Sequence, residues 1–279
     1  MTLDALSPRQ QDLLELWLPG AVLERSHGWG LVATTVLEMG RGDDRFIVKA
    51  GGSEDHHIAR ELEAHEKWLA PWTSLGRAPV LVQGDVGAKL LVTRWLPGQL
   101  VLGTAHVDFP DTYVQAGRLL ALLHQQGQAV VDDSYEAREG AKSLAWLDKR
   151  HRIDAVTEER LRAEIASWPA PPAALVPTHG DWQPRNWLVD DGTVSVIDFG
   201  RAALRPAMSD LTRLTVQDFA RNPRLEGAFL EGYGADPREP QAWHRFLVRE
   251  AIGTAVWAHQ VGDNAFEEQG HRMIAAALD

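Results

Sequence analysis

Between Val176 and Gly200 the chain reads VPTHGDWQPRNWLVDDGTVSVIDFG, and this stretch constrains the fold more than any other. Two short runs of strand-forming residues, Asn186 to Val189 and Thr193 to Ile197, flank Asp191-Gly192. An Asp-Gly pair between such runs signals a tight hairpin, because both residues tolerate the positive φ that the favoured turns require. With Asp191-Gly192 as the loop, Asp190 faces Thr193, Leu188 faces Ser195 and Asn186 faces Ile197. Asn186 and Asp198 then meet diagonally at the open end of the ribbon. Asp181 lies in the loop that feeds the same end.

The surroundings of this hairpin differ on its two sides. The first part of the chain alternates: a helix over Pro8 to Leu18, strands over Leu31 to Met39 and Arg45 to Ala50, a helix over Ile58 to Leu69 ended by Pro71, and strands over Pro79 to Gln83 and Lys89 to Trp95. Beyond Leu96-Pro97 almost everything else has helical periodicity. Thr112 to Gln126 is the clearest case, with Asp111 as its expected N-cap, and further helices are expected up to Ala277. The change of pattern predicts two lobes, 1–96 and 97–279.

Two carboxylates and a carboxamide at one strand end suit a hard cation such as Mg²⁺, which takes oxygen ligands and keeps positions open for substrate phosphates. An aspartate not consumed by the metal can orient a substrate hydroxyl and accept its proton. With an ordinary pKa of about 3.9 it is ionised at neutral pH.

HGDWQPRN followed by IDFG resembles the catalytic and metal motifs of the aminoglycoside phosphotransferase and choline kinase-like family, small-molecule relatives of the protein kinases. The resemblance implies an α+β, protein-kinase-like bilobal fold, with an antiparallel-sheet N-lobe for nucleotide and a mostly helical C-lobe. It implies Asp181 as catalytic base, Asn186 and Asp198 as Mg²⁺ ligands, His179 as a buttress of the loop and ATP as phosphoryl donor. Lys49 interrupts the apolar strand Phe46 to Ala50, where a charge is costly unless paired. The family's lysine-to-glutamate pair maps onto Lys49 and Glu61, with Glu63 as the fallback. Ser26, Gly28 and Gly30 fall where the loop over the phosphates is expected, although no full GxGxxG is present. Thr93, Trp95 and Leu96 fall at the adenine-binding hinge, and Ile197 beside the metal aspartate joins the nucleotide site by the same resemblance.

Trp182 and Trp187 stand where the family more often has aliphatic residues. Trp187, in a strand, reads as core; Trp182 reads either as core or as a platform for a cationic or planar acceptor. Glu250, in an apolar setting, and Trp257 are the acceptor-pocket candidates in the C-terminal helices. His56, His57 and His65 lie on one charged helical segment, expected to be exposed and without the spacing of a zinc site.

Composition narrows the partners. Thirty-nine acidic against 28 basic residues in 279 leave a net charge of -11, which repels nucleic acid and anionic membranes. That balance favours a cationic ligand, or serves only solubility. No cysteine is present, so disulfides and thiolate chemistry are excluded. No apolar run reaches membrane-spanning length and the N-terminal segment lacks the pattern of a signal peptide, so a cytoplasmic protein, monomer or homodimer, is expected. The expected activity is ATP-dependent transfer of a phosphoryl group to a hydroxyl of a small cationic antibiotic, of aminoglycoside or basic peptide type. The alternatives are a kinase of a metabolite (choline, homoserine or a sugar) and a non-catalytic nucleotide-binding regulator.

Overall fold

The computed structural model describes residues 5–27 and 34–278. In chain order these contain α1 (Pro8–Trp17), β1 (Val22–Ser26), β2 (Thr34–Arg41), β3 (Asp44–Gly51), α2 (His57–Lys67), α3 (Ala70–Thr73), β4 (Leu81–Asp85), β5 (Leu90–Arg94), β6 (Gln99–Leu100), α4 (Pro110–His124), β7 (Val130–Asp132), α5 (Tyr135–Leu147), α6 (Ala155–Ser167), β8 (Ala173–Thr178), β9 (Trp187–Asp190), β10 (Thr193–Val196), β11 (Ala203–Arg205), α7 (Thr212–Leu214), α8 (Pro223–Tyr233), α9 (Pro240–Val261) and α10 (Asn264–Leu278). No helix among the described residues is long and apolar enough to cross a membrane.

The chain groups into two compact units, and the grouping does not follow the sequence break at 96/97. The first takes the chain through Gln126 together with His179–Ala203 and Arg224–Gly234; the second takes Gly127–Thr178, Leu204–Pro223 and Ala235–Asp279. All the residues of the expected catalytic and metal motifs fall in the first unit.

That unit is built on a sheet of order β1-β2-β3-β5-β4, antiparallel throughout. Alternation along β3 decides what each face does. Phe46, Val48 and Ala50 join Leu37, Met39, Leu90 and Val92 on one face, which is closed by Leu14 of α1 and Leu18 just past its end. A capping box at Ser7 and Gln10 starts α1, and Gln10 Nε2 also donates to the carbonyls of Gly51 and Ala88. Ile47 and Lys49 point to the other face, opposite Glu38 and Val36 on β2 and Thr93 and Leu91 on β5. There Ile58 and Leu62 of α2 cover Leu91. Asp55 caps α2, accepting from the backbone N–H of His57 and Ile58 at 2.9 and 3.0 Å, and takes the Thr34 hydroxyl at 2.9 Å.

A second, three-stranded sheet of order β10-β9-β6 carries the hairpin. Its register pairs Thr193 with Asp190 and Ser195 with Leu188, as the Asp-Gly turn requires; Asp191 (φ 44°) and Gly192 (φ 72°) both take positive φ. Asn186 belongs to a 3₁₀ turn, Pro184–Asn186, but still faces Ile197, whose N–H donates to its carbonyl at 3.0 Å. Gln115 of α4 clamps the ribbon, donating to the Gly192 carbonyl at 2.8 Å and accepting from Val194 N–H at 3.0 Å. The expected N-cap at Asp111 is not formed: α4 begins earlier, at Pro110, and Asp111 sits in its first turn accepting from Gln115.

The second unit packs α5, α6, α9 and α10 around Leu147, Leu161, Val248, Ile252, Val256 and Ile274. Strands β7 and β8 pair antiparallel within it. Glu136, buried on α5, accepts from Arg245 at 2.8 Å and Arg249 at 2.9 Å, two arginines one turn apart on α9.

Candidate active site

Lys49 lies toward the end of β3, the middle strand of the sheet, with Nζ 2.8 Å from both oxygens of Glu61 and 3.0 Å from Asp198 Oδ1. The periodicity of α2 makes the choice of partner: Glu61 shares its buried stripe with Ile58, Leu62 and Ala64, whereas Glu63 points outward and pairs with Lys67. Burial works against a charged Lys49, but the Asp198 and Glu61 carboxylates outweigh it and raise its proton affinity. Burial pushes the Glu61 carboxyl up, with Lys49 opposing that change. Asp198 is held down to about 2, first by the Lys49 ammonium and, more weakly, by the Arg185 guanidinium. It is half-exposed and takes a φ of 69°, a left-handed conformation that a non-glycine residue adopts only under constraint.

The loop before the hairpin is held from inside. His179 is fully buried; Nδ1 accepts from the Asp181 N–H at 3.2 Å and Nε2 donates to the Ile197 carbonyl at 3.1 Å, so one neutral imidazole ties the Asp181 loop to the Asp198 strand. Asp181 is buried as well. Its Oδ1 accepts from Gln183 Nε2 at 2.5 Å, and its Oδ2 from Arg185 Nη2 at 2.7 Å and Asn186 Nδ2 at 3.0 Å. Asn186 also donates to the Asp181 carbonyl at 2.8 Å. Because its NH₂ end is spent on Asp181, Asn186 keeps its carbonyl oxygen, the end a hard cation takes, for another partner.

Several expected site residues need correction or a different reading. Trp182 is not a platform: it is 1% exposed, its ring 5.7 Å from Trp72, 5.4 Å from His179 and 5.6 Å from Trp187. The aromatic packing beneath the loop takes the whole side chain, so none is left for an acceptor. Ser26 pairs with Leu37, whose side chain belongs to the α1-covered face, so the register turns Ser26 away from the face of Lys49. Gly28 and Gly30 lie outside the described residues. Thr93 is buried on the Lys49 face; Trp95, just beyond β5, is half-buried with the Arg45 guanidinium 4.1 Å from its ring centre, and Leu96 follows it half-buried. Ile197 is half-buried between its two backbone hydrogen bonds.

His65 departs from the exposed position expected of it: it is half-buried with its ring edge-on to Phe199 at 5.6 Å. His57 Nδ1 meets the Gly200 carbonyl at 2.9 Å, so α2 touches both residues that follow Asp198.

Glu250 and Trp257 lie on α9 in the second unit. Glu250 is half-buried and lines a small cleft with Thr212, Arg213, Gln217, Thr254 and Phe266. A cavity of about 400 Å³ in the same unit is lined by Val216, Leu247, Gln269, Arg272, Met273 and Ala276, among others. Trp257 is 45% exposed, edge-on to Phe266.

Arg185 and Gln183, which hold the Asp181 carboxylate, were not singled out from sequence. The available signal was a cation and an amide between the two motif residues, in a turn that Pro184 forces tight.

Residues 40–245, well over half of the chain, match the model of the phosphotransferase enzyme family, and the chain belongs to that family. It is an enzyme of the small-molecule kinase class with a protein-kinase-like fold. Among solved structures it is similar to choline kinase LicA from Streptococcus pneumoniae, at 14% identity and TM-score 0.67 over 96% of each chain. It is also similar to a macrolide 2'-phosphotransferase from Brachybacterium faecium, at 19% identity and TM-score 0.60 over 98% of each chain. A third likeness is to an aminoglycoside phosphotransferase mutant in complex with AMP-PNP and hygromycin B, at 10% identity and TM-score 0.67 over 98% of each chain. No curated protein matches the chain in sequence.

Proposed function

We propose that the protein is an ATP-dependent O-phosphotransferase of the cytoplasm that phosphorylates a hydroxyl of a small cationic antibiotic. The observation that carries this reading is the bridge from Glu61 through Lys49 to Asp198, beside an Asp181 fixed by Asn186. In it residues 1–96 hold the nucleotide, with Lys49 on its phosphates and Thr93, Trp95 and Leu96 at its base, and residues 97–279 supply the reaction loop and the acceptor pocket. The named ligands and activities of proteins with similar folds include hygromycin B, a macrolide and choline, so small hydroxylated molecules of more than one class are acceptors among them.

Mg²⁺ fits the donor set, one carboxylate and one carboxamide, and when bound supplies charge neutralisation on the phosphate oxygens. Among the described residues no group of three His, Asp or Glu side chains forms a self-sufficient metal cage, so the ion's remaining ligands in this reading come from phosphate and water. Asp181 orients the acceptor hydroxyl. As the acceptor oxygen bonds to the γ-phosphorus, the bond to the β,γ-bridging oxygen breaks, its electron pair leaves with ADP, and the hydroxyl proton passes to Asp181. A weak base is sufficient, because phosphoryl transfer rests on positioning and charge neutralisation.

Mass spectrometry of a mixed library of hydroxylated antibiotics and metabolites, incubated with ATP and Mg²⁺, should show a cationic antibiotic gaining one phosphoryl group. Asp181→Asn should lose at least about a hundredfold in kcat while still binding nucleotide. Transfer by that variant at the wild-type rate sinks the assigned base, and a library in which only a metabolite gains mass sinks the antibiotic reading.

A further inference from the structure

The carboxylate of Asp181 is more heavily engaged than a base awaiting a substrate proton needs to be. Oδ2 carries two donors, Asn186 Nδ2 at 3.0 Å and Arg185 Nη2 at 2.7 Å, while Oδ1 carries Gln183 at 2.5 Å. A hydroxyl that delivers its proton to Oδ2 competes with both. The three donors are not equally fixed. Asn186 and Gln183 are buried, and Asn186 is held a second time by the Asp181 carbonyl. The Arg185 side chain is 42% exposed and projects from the short turn that Pro184 opens. It is therefore the donor that can leave at least cost.

Arg185 also has the right chemistry to go somewhere useful. A guanidinium is a rigid fork of donors that fits phosphate oxygens in pairs, and it keeps its charge under all working conditions. The ammonium of Lys49 enters from β3 beside Asp198, whereas Arg185 enters from the Asp181 loop, one residue before Asn186. Two cations that reach the reaction point from different elements can meet different oxygens of one polyphosphate.

Resting on the phosphotransferase reading above, we infer that Arg185 is a catalytic residue with two positions. Before nucleotide binds it restrains Asp181. With a nucleoside triphosphate in place it moves to the terminal phosphate, leaving Oδ2 with Asn186 alone and a lone pair open to the acceptor hydroxyl, and meeting the charge on the transferring oxygens. Arg185 exchanges no atom in the step: the acceptor proton still goes to Asp181 and the electron pair still leaves with ADP.

The inference separates triphosphate from diphosphate, and calorimetry reads that difference without turnover. Mg²⁺-ADP and Mg²⁺-AMP-PNP are titrated into the wild-type chain, Arg185→Lys and Arg185→Gln. ADP should bind all three within about twofold, which also reports that the variants are folded. AMP-PNP should bind Arg185→Gln roughly tenfold or more weakly than wild type, the size of one lost charge-assisted hydrogen bond. Arg185→Lys, which keeps the charge without the fork, should fall between, and kcat should follow the same order. Equal weakening of both nucleotides in Arg185→Gln would make the residue a structural prop, and no weakening of either would leave it without a role; each overturns the inference alone. A wild-type chain that binds neither nucleotide overturns the functional reading as well.

Discussion

His65 carries an ionisation that its surroundings suppress. Burial first, and the Lys49 charge second, lower its pKa from the usual 6.5 to about 4, and its Nε2 is buried with no hydrogen-bond partner among the described residues. A histidine that protonates at higher pH in the unfolded chain than in the folded one costs stability as acid is added. Its contribution is fully present above pH 6.5, declines as pH falls from there to about 4, and is flat below. A tenfold change in proton affinity is worth about 1.4 kcal/mol, so the decline amounts to a few kcal/mol at most. Urea midpoints measured across that window should fall less steeply for His65→Gln than for wild type; parallel slopes would show that His65 is protonated in the folded state. The same pocket shows why some residues declare themselves in sequence. Lys49 could be read because a charge within an apolar strand must find a partner; the pairing with Glu61 comes from the family resemblance, with Glu63 as the fallback, and the buried stripe of α2 decides for Glu61. Arg185 could not, because an arginine in a polar loop is ordinarily solvated and only the folded loop shows it on Asp181.

At the scale of elements, the floor of the first unit depends on two helices that approach backbone to backbone. A Cβ added at Gly117 on α4 would lie 2.2 Å from the Phe229 carbonyl oxygen, and one at Gly232 on α8 would lie 2.0 Å from that of Val114. Gly227, also on α8, is exposed and has nothing within 4 Å. Alanine is the better helix former by about 1 kcal/mol, so Gly227→Ala should stabilise by up to that amount. Gly117→Ala should instead lose about 1–3 kcal/mol, because the overpacking it forces outweighs the propensity gain. Urea unfolding of the two variants should shift in opposite directions, and a neutral Gly117→Ala would mean that the helices part without strain. These contacts were not visible in the periodicity, which reports what an element buries and not how closely two backbones approach. The Asp191-Gly192 hairpin was visible down to its register, because the turn chemistry and side-chain alternation agree there. Strands β6 and β7 were not. Gln99–Leu100 is too short to show a period, and the valines of Val130–Asp132 are exposed and mark no buried face.

For the molecule as a whole the net charge of -11 is the property that bears on which acceptor it takes. A field of that sign concentrates cations at the surface and speeds their encounter, and salt weakens it. The screening length contracts from about 30 Å at 0.01 M to about 10 Å at 0.1 M ionic strength. If the acceptor is a polycation, kcat/KM for it should drop by roughly tenfold across that range while kcat at saturation holds, since screening acts on encounter and not on the transfer step. A neutral hydroxylated acceptor turned over by the same preparation gives the control, because it experiences the same salt with no charge to screen. ATP gives the opposite sign: an anion approaching an acidic protein is repelled less as salt rises, so its kcat/KM should hold or climb. Parallel salt profiles for a cationic and a neutral acceptor would place the acidity in the service of solubility alone. Divergent profiles would tie the composition of the whole chain to the acceptor it selects.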